Sequence, residues 1–355
     1  MSNFLDKKLV SLKPYVPGLQ PKRIDGLVKL NTNESPFPPS PLVLDAVSKG
    51  VNDLNLYSDD KCTRAVSAIA AFHGLSTDNV FLSNGSDETL AFIFHGLCQN
   101  GAAFADITYG FFKVYSSMFG VKETIVPLND NYKINIDDYK DIKSTVFIAN
   151  PNALTGILLP LIEIEKLIQQ DLNRLVIVDE AYIDFGGESA VELIDKYKNL
   201  IVVQTFSKSR SLAGGRIGFA IADKELIADL NTLKYSFNPY NVNSLSILAA
   251  EAAMSDKPYF EECRKTIIEN RNYLTNELRS QGFIVLESSA NFIFAGQNNK
   301  IKAVDYYSEL RKNNILVRYF TERRTADFVR ITIGTMEQMQ RLTSITENIL
   351  KEHIK

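Results

Sequence analysis

Seven short apolar runs, separated by stretches long enough for a helix, fill residues 60–220 and constrain the fold more than any other feature. They are Val80–Leu82, Ala102–Ala105, Thr124–Val126, Val146–Ile148, Leu175–Val178, Ile201–Val203 and Gly218–Ile221. Near-continuous apolar runs, rather than strict alternation, are what strands covered on both faces require. The rhythm predicts an α/β fold with a parallel or mixed sheet between helices.

The flanks differ. The first 40 residues hold Pro14, Pro17, Pro21, Pro36, Pro38 and Pro39 with little apolar periodicity, which predicts an extended arm lying on another surface. After residue 240 the pattern changes. Asp256–Ser280 places Phe260, Cys263, Ile267, Leu274 and Leu278 at helical spacing, with a stop at Gly282. Strand-like segments follow at Phe283–Leu286, Asn291–Phe294, Ile315–Val317 and Val329–Ile333. Thr335 and Gln338 then form a capping box for a last helix. The division expected is an arm at 1–40 contributing to a small domain, a large domain at 41–240, and a smaller α+β domain at 241–355.

Composition excludes several classes. With 39 basic and 42 acidic residues scattered along 355, the net charge of −3 gives no electrostatic footprint for nucleic acid. Cys62, Cys98 and Cys263 show no CxxC or Cys/His spacing, so neither a disulfide framework nor a metal site is expected, and a reducing cytoplasm fits. The start of the chain lacks the apolar core of a signal peptide, and no uncharged run approaches the roughly 20 apolar residues that cross a bilayer. A GxGxxG dinucleotide fingerprint is absent.

The residues able to do chemistry gather at the ends of predicted strands, the edge where open α/β sheets bind ligands. Asp179 follows the apolar run LVIV, although a helix cap or loop would also use a carboxylate there. The next strand runs into Thr205, Ser207 and Lys208, then a glycine pair and Arg216. Most lysines are solvated surface residues, but hydroxyls, glycines and an arginine crowd around this one. Such a lysine can form an imine with an aldehyde. Thr205, Ser207 and Arg216 suit a phosphate dianion. A second cradle is offered by Gly85, Ser86, Asp87 and Glu88, where free N–H groups open a predicted helix. Asp87 and Glu88 could equally be ordinary helix-starting acids. Together these sets describe an aldehyde-bearing, phosphorylated, cationic cofactor, and pyridoxal 5'-phosphate has those features.

The ordered motifs KLNTNESPFPPSP, LYSDD, SNGSDE, DITYGFF, NPNALTG, VDEAYIDF, TFSKSRSLAGGRIGFA, ANFIF and VRITIGT run nearly end to end. In that order the chain resembles the fold-type I aminotransferases, most closely the histidinol-phosphate aminotransferase family. The resemblance implies a large domain with a mostly parallel seven-stranded sheet between helices, plus a smaller α+β domain. It implies that Lys208 carries the cofactor as a Schiff base and moves the substrate's α-proton, while Asp179 pairs with the pyridinium nitrogen. Tyr182 would bond the ring hydroxyl and Tyr109 would stack on the ring, though either could be a core aromatic. Gly85, Ser86, Asp87, Thr205, Ser207 and Arg216 would surround the phosphate. Tyr57 would reach the phosphate of a neighbouring subunit's cofactor, which implies a homodimer with shared sites. Arg330 would bind the substrate carboxylate, with Arg318 and Tyr15 as candidates for a substrate phosphate, a surface salt bridge and a packed arm being the alternatives.

Three departures stand out. The usual NPNNPTG reads NPNALTG, so the family's ring-hydroxyl asparagine falls on Ala153, with Asn152 one residue away as the substitute. Ser58 replaces the proline of YPD, and SRSLAGGR replaces an AFGLAGLR-like stretch. The expected reaction is amino transfer from histidinol phosphate to 2-oxoglutarate by alternation between two cofactor forms. The rivals are an aromatic-amino-acid aminotransferase, a threonine-phosphate decarboxylase and a non-enzymatic cofactor-binding regulator.

Overall fold

The computed structural model describes residues 4–21, 26–296 and 298–353. The arm's residues 1–3 and 22–25, and the last two residues of the C-terminal segment, lie outside that description. Along the chain come β1 (Val28–Lys29), α1 (Pro41–Gly50), α2 (Thr63–His73), β2 (Val80–Ser83), α3 (Ser86–Gly96), β3 (Ala102–Ala105), α4 (Phe111–Phe119) and β4 (Glu123–Val126). They are followed by β5 (Thr145–Ala149), α5 (Leu161–Gln169), β6 (Val176–Asp179), β7 (Leu200–Thr205), β8 (Gly218–Ala222), α6 (Lys224–Phe237), α7 (Ser244–Ser255) and α8 (Lys257–Ser280). The chain closes with β9 (Phe292–Gly296), α9 (Ala303–Lys312), β10 (Ile315–Leu316), β11 (Arg318–Tyr319), β12 (Phe328–Thr332) and α10 (Met336–Glu352).

All seven predicted runs form strands of one sheet in the order β2-β8-β7-β6-β5-β3-β4. β8 alone runs against the direction of the other six, so its pairings with β2 and β7 are antiparallel and the rest are parallel. The reason for continuous apolar character is visible in the packing. Phe81, Phe104, Phe147, Ile177, Ile201 and Val203 point to one face and pack with α3, α4, α6 and α8. The intervening Leu82, Ala103, Val146, Val176, Val178 and Val202 point to the other, under α1, α2, α5 and α7. Each side chain of a central strand is therefore buried whichever face it occupies.

The smaller layer is an antiparallel sheet in the order β11-β12-β9, flanked by α8, α9 and α10. The arm joins it: β1 pairs in parallel with β10, Val28 opposite Ile315. Both predicted long helices form, α8 behind its Asp256 cap and α10 behind the Thr335–Gln338 box. The expected strand at Phe283–Leu286 does not form; only Val285 bridges Ala295. Its continuation is committed elsewhere, since the Ser289 N–H donates to Gly156 O and Ser288 Oγ to Phe292 O. Helix α7 shares the sheet's second layer through Ile247, Ala250 and Met254. We therefore place the passage to the smaller layer at Asp256 rather than at 240. No helix among the described residues is long and apolar enough to cross a membrane.

Candidate active site

Burial of β6 on both faces carries Asp179, its last residue, into the interior; the residue is 5% exposed. Its carboxylate accepts from Ala181 N–H at 3.2 Å. Burial pushes its pKa up to about 7 and nearby Asp87 adds to the rise, while the Ala181 N–H and Lys208 oppose it. An acid so placed calls for a cation.

One strand over, β7 ends at Thr205 and the chain turns through Ser207 to Lys208. The half-buried Lys208 Nζ lies 3.4 Å from Thr32 O and 5.7 Å from the Tyr182 ring centroid. It projects into a cavity of about 470 Å³ that Tyr15, Tyr109, Tyr182, Arg318 and Arg330 also line. Segments far apart in sequence meet there.

The two phosphate-type sets are one place. Thr205 Oγ1 donates to Ser207 Oγ at 3.0 Å, and Arg216 Nη2 donates to Asp87 Oδ2 at 3.0 Å across the start of α3. Two glycines allow this approach. A Cβ on Gly85, whose φ is +79°, would sit 2.5 Å from Arg216 Nη2, and one on Gly218 would sit 2.1 Å from Ser86 N. The amides of Ser86 and Asp87 open α3 and have no helical acceptor. The Glu88 N–H, expected to be free, instead donates to Gly85 O. Tyr109 ties this cradle to the cavity by donating to Asp87 Oδ1 at 2.7 Å. Burial holds the Tyr109 phenol well above its usual pKa, so it stays protonated.

At the opposite wall Arg318 and Arg330 stand directly across the β11–β12 ladder. Like charges facing one another in a ladder are destabilising. Neither has a carboxylate within 4.0 Å among the described residues. Arg330 donates to Ala153 O at 3.1 Å, its Nε has no partner, and its guanidinium lies 5.3 Å from the Phe292 centroid. Arg318 donates to Val16 O at 3.1 Å, bringing the arm against the cavity, and Tyr15 stacks on Phe111 at 4.5 Å. The pair is built to receive an anion.

One expectation falls elsewhere. Asn152 does not face this cavity: its Oδ1 accepts from Leu154 N–H and Thr155 N–H and its Nδ2 donates to Ile107 O. The amide shapes the 150–157 loop, so we do not carry Asn152 forward as a cofactor ligand. Tyr57 is 85% exposed, stacks on Tyr240 at 4.6 Å, and takes no part in the wall of its own chain's cavity. Sequence reasoning passed over Asn33, which is buried and left-handed (φ +56°) and donates from Nδ2 to Tyr182 OH at 3.0 Å. It also passed over Arg324, whose guanidinium meets Asp106 at 2.6 Å across the cavity's rim. An asparagine between a strand and a proline-rich turn is the available signal for the first, because asparagine tolerates positive φ better than most residues.

The fit to a phosphorylated, cationic ring rests on this geometry: a glycine-lined cradle with free amides, a buried acid with no ion pair among the described residues, and an amine projecting into the cavity that Tyr109 links to the cradle. Residues 25–345 match the model of the aminotransferase class I and II family. The chain is 47% identical over 354 residues to a histidinol-phosphate aminotransferase of Hydrogenovibrio crunogenus, covering 99% of both chains. The histidinol-phosphate aminotransferase of Clostridium acetobutylicum has a solved structure that superposes with a TM-score of 0.83 at 26% identity, over 92% of this chain and 100% of that one. That of Sinorhizobium meliloti, solved in complex with pyridoxal-5'-phosphate, shares the fold with a TM-score of 0.82 at 22% identity, over 92% and 91%.

Proposed function

The chain belongs to the aminotransferase class I and II family, and within it we propose that it moves an amino group between histidinol phosphate and 2-oxoglutarate, giving imidazole-acetol phosphate and glutamate, with pyridoxal 5'-phosphate as cofactor. The observation that carries the substrate is the pair Arg318 and Arg330, facing each other in the cavity that holds Lys208, with no carboxylate within 4.0 Å of either among the described residues. Relatives 46–47% identical over almost their whole length support the same reading.

Pyridoxal phosphate supplies an aldehyde for the amine and a protonated ring that spreads the electrons left when the α-proton departs. The chain's residues do the rest. Asp179 holds the ring nitrogen protonated, the Ser86 and Asp87 amides with Thr205, Ser207 and Arg216 hold the phosphate, and Tyr109 covers the ring. Lys208 Nζ, which projects into the cavity, would be the covalent anchor for the aldehyde and, once the substrate's amine has displaced it, the free base that takes and returns the α-proton. Histidinol phosphate bears a phosphate ester where glutamate bears its α-carboxylate. One guanidinium suffices for a carboxylate; the second, with Tyr15, serves the dianion.

Steady-state kinetics test this. The kcat/KM for histidinol phosphate should exceed that for phenylalanine, and Arg318→Ala should lower the first about tenfold to a hundredfold, the scale of a charge-assisted contact, while leaving the second nearly unchanged. Equal rates for both substrates, or equal losses, would contradict the substrate assignment.

We propose further that two copies share their sites, Tyr57 of each reaching the other's phosphate cradle. Leu54, Leu56 and Tyr57 form an exposed apolar edge that a second copy would cover. Sedimentation should give twice the monomer mass, and Tyr57→Phe should weaken cofactor retention. A monomer at micromolar concentration would rule this out.

A further inference from the structure

We infer that Asn33 is a positioning residue that sets the direction of the Tyr182 hydroxyl, aiming its proton into the cavity. The inference rests on the proposed function and deepens it. The hydrogen bonds fix which way the Asn33 amide faces. Asn33 N–H donates to Thr332 Oγ1 at 3.0 Å, so that hydroxyl is free to spend its own proton on Asn33 Oδ1, also at 3.0 Å. With Oδ1 on the threonine, Nδ2 is turned to Tyr182, 3.0 Å from its oxygen. An amide nitrogen donates and cannot accept. The phenol oxygen is therefore the acceptor, and its single proton must go elsewhere. The direction open to it is the cavity that Tyr182 and Lys208 line together.

The asparagine is held to this task from every side. Its carbonyl accepts from Asn291 Nδ2 at 3.0 Å, it is 1% exposed, and its left-handed backbone suits asparagine or glycine. The neighbouring Thr32 carbonyl touches Lys208 Nζ, so two consecutive residues of the arm face the two groups nearest the reacting atoms. Thr332 lies two residues from Arg330 on the same strand, which ties the phenol's orientation to the strand that carries the anion-binding guanidinium. With alanine at 153 and the Asn152 amide committed to its loop, Tyr182 is left as the side-chain donor to a ring oxygen, and its aim matters correspondingly more.

The decisive variant is Asn33→Asp. It keeps the shape and the oxygen facing Thr332, but puts an acceptor where the donor stood. The phenol proton then turns back onto the carboxylate and is lost to the cavity. The experiment is a double-mutant cycle on the full-length protein with pyridoxal 5'-phosphate, reading the cofactor's dissociation constant and the pH midpoint of its visible absorbance band. Tyr182→Phe should weaken binding about tenfold, the scale of one hydrogen bond to a charged group, and shift the midpoint. Asn33→Asp should do the same in the same direction, and the double variant should be no worse than Tyr182→Phe alone. Asn33→Gly, which tolerates the positive φ, repeats the cycle should the aspartate variant not fold. A wild-type midpoint in either Asn33 variant, or losses that add to those of Tyr182→Phe, would overturn the inference. A wild-type protein that binds no pyridoxal phosphate would overturn the proposed function itself.

Discussion

Lys208→Ala should abolish amino transfer, lowering kcat by about a thousandfold or more, because it removes both the attaching amine and the proton carrier. Its thermal stability should hardly change. The amine's hydrogen bond in the structure is a single long contact of 3.4 Å to Thr32 O, and substitutions away from buried networks usually stay within about 0.5 kcal/mol. Phosphate binding should survive, because Arg216, Thr205, Ser207 and the α3 amides do not depend on the lysine. Turnover measured beside a melting curve separates these outcomes: a folded variant that still transfers amino groups near the wild-type rate would remove Lys208 from the chemistry.

The second large effect is at Asp179. Asp179→Asn should cost about a hundredfold to a thousandfold in kcat, since a neutral amide cannot hold a ring nitrogen protonated and the loss is electrostatic. The same variant should be more stable than wild type when no cofactor is bound. The folded protein raises this carboxyl from 3.8 to about 7. A raised acid favours folding most when protonated, so its contribution is present at low pH and is lost as pH climbs from about 4 through 7. Asparagine avoids that loss. The gain should therefore grow across the same window, to at most roughly 4 kcal/mol above pH 7 at about 1.4 kcal/mol per unit. Glu180, also raised to about 7 by burial, keeps Ser189, Ala190 and Gln204 as partners in both proteins and cancels from the comparison. Melting the cofactor-free proteins at several pH values checks the sign. A stability advantage of Asp179→Asn over wild type that fails to grow as pH rises would show that the carboxylate is already compensated.

Much of the architecture was legible because burial on both faces leaves a plain mark. The central strands of the large sheet are nearly continuous apolar runs, and Asp179 and Thr205, which break the pattern, fall at strand ends where the ligand edge lies. Amphipathic α8 and the capped α10 were legible for the same local reasons. Phe283–Leu286 misled because its pairing with β9 is confined to a single bridge at Val285, while Phe283 and Val285 are buried by packing and Ile284 is exposed. The site was legible as residue types, but not as a geometry. That Arg216 and Asp87 meet depends on two glycines 133 positions apart, Gly85 and Gly218, allowing backbone and guanidinium to approach. Arg318 opposite Arg330 follows from a strand register that no local pattern reveals. Asn152 and Asn33 show the limit most clearly: both are asparagines in turn-rich segments, and only hydrogen-bond partners tell which one shapes a loop and which one serves a tyrosine.

The chemistry turns on one amine. Reducing the cofactor-loaded protein with borohydride and mapping the modified peptide by mass spectrometry should place a single pyridoxyl group on Lys208. Finding that group on another lysine, or on none, would contradict it.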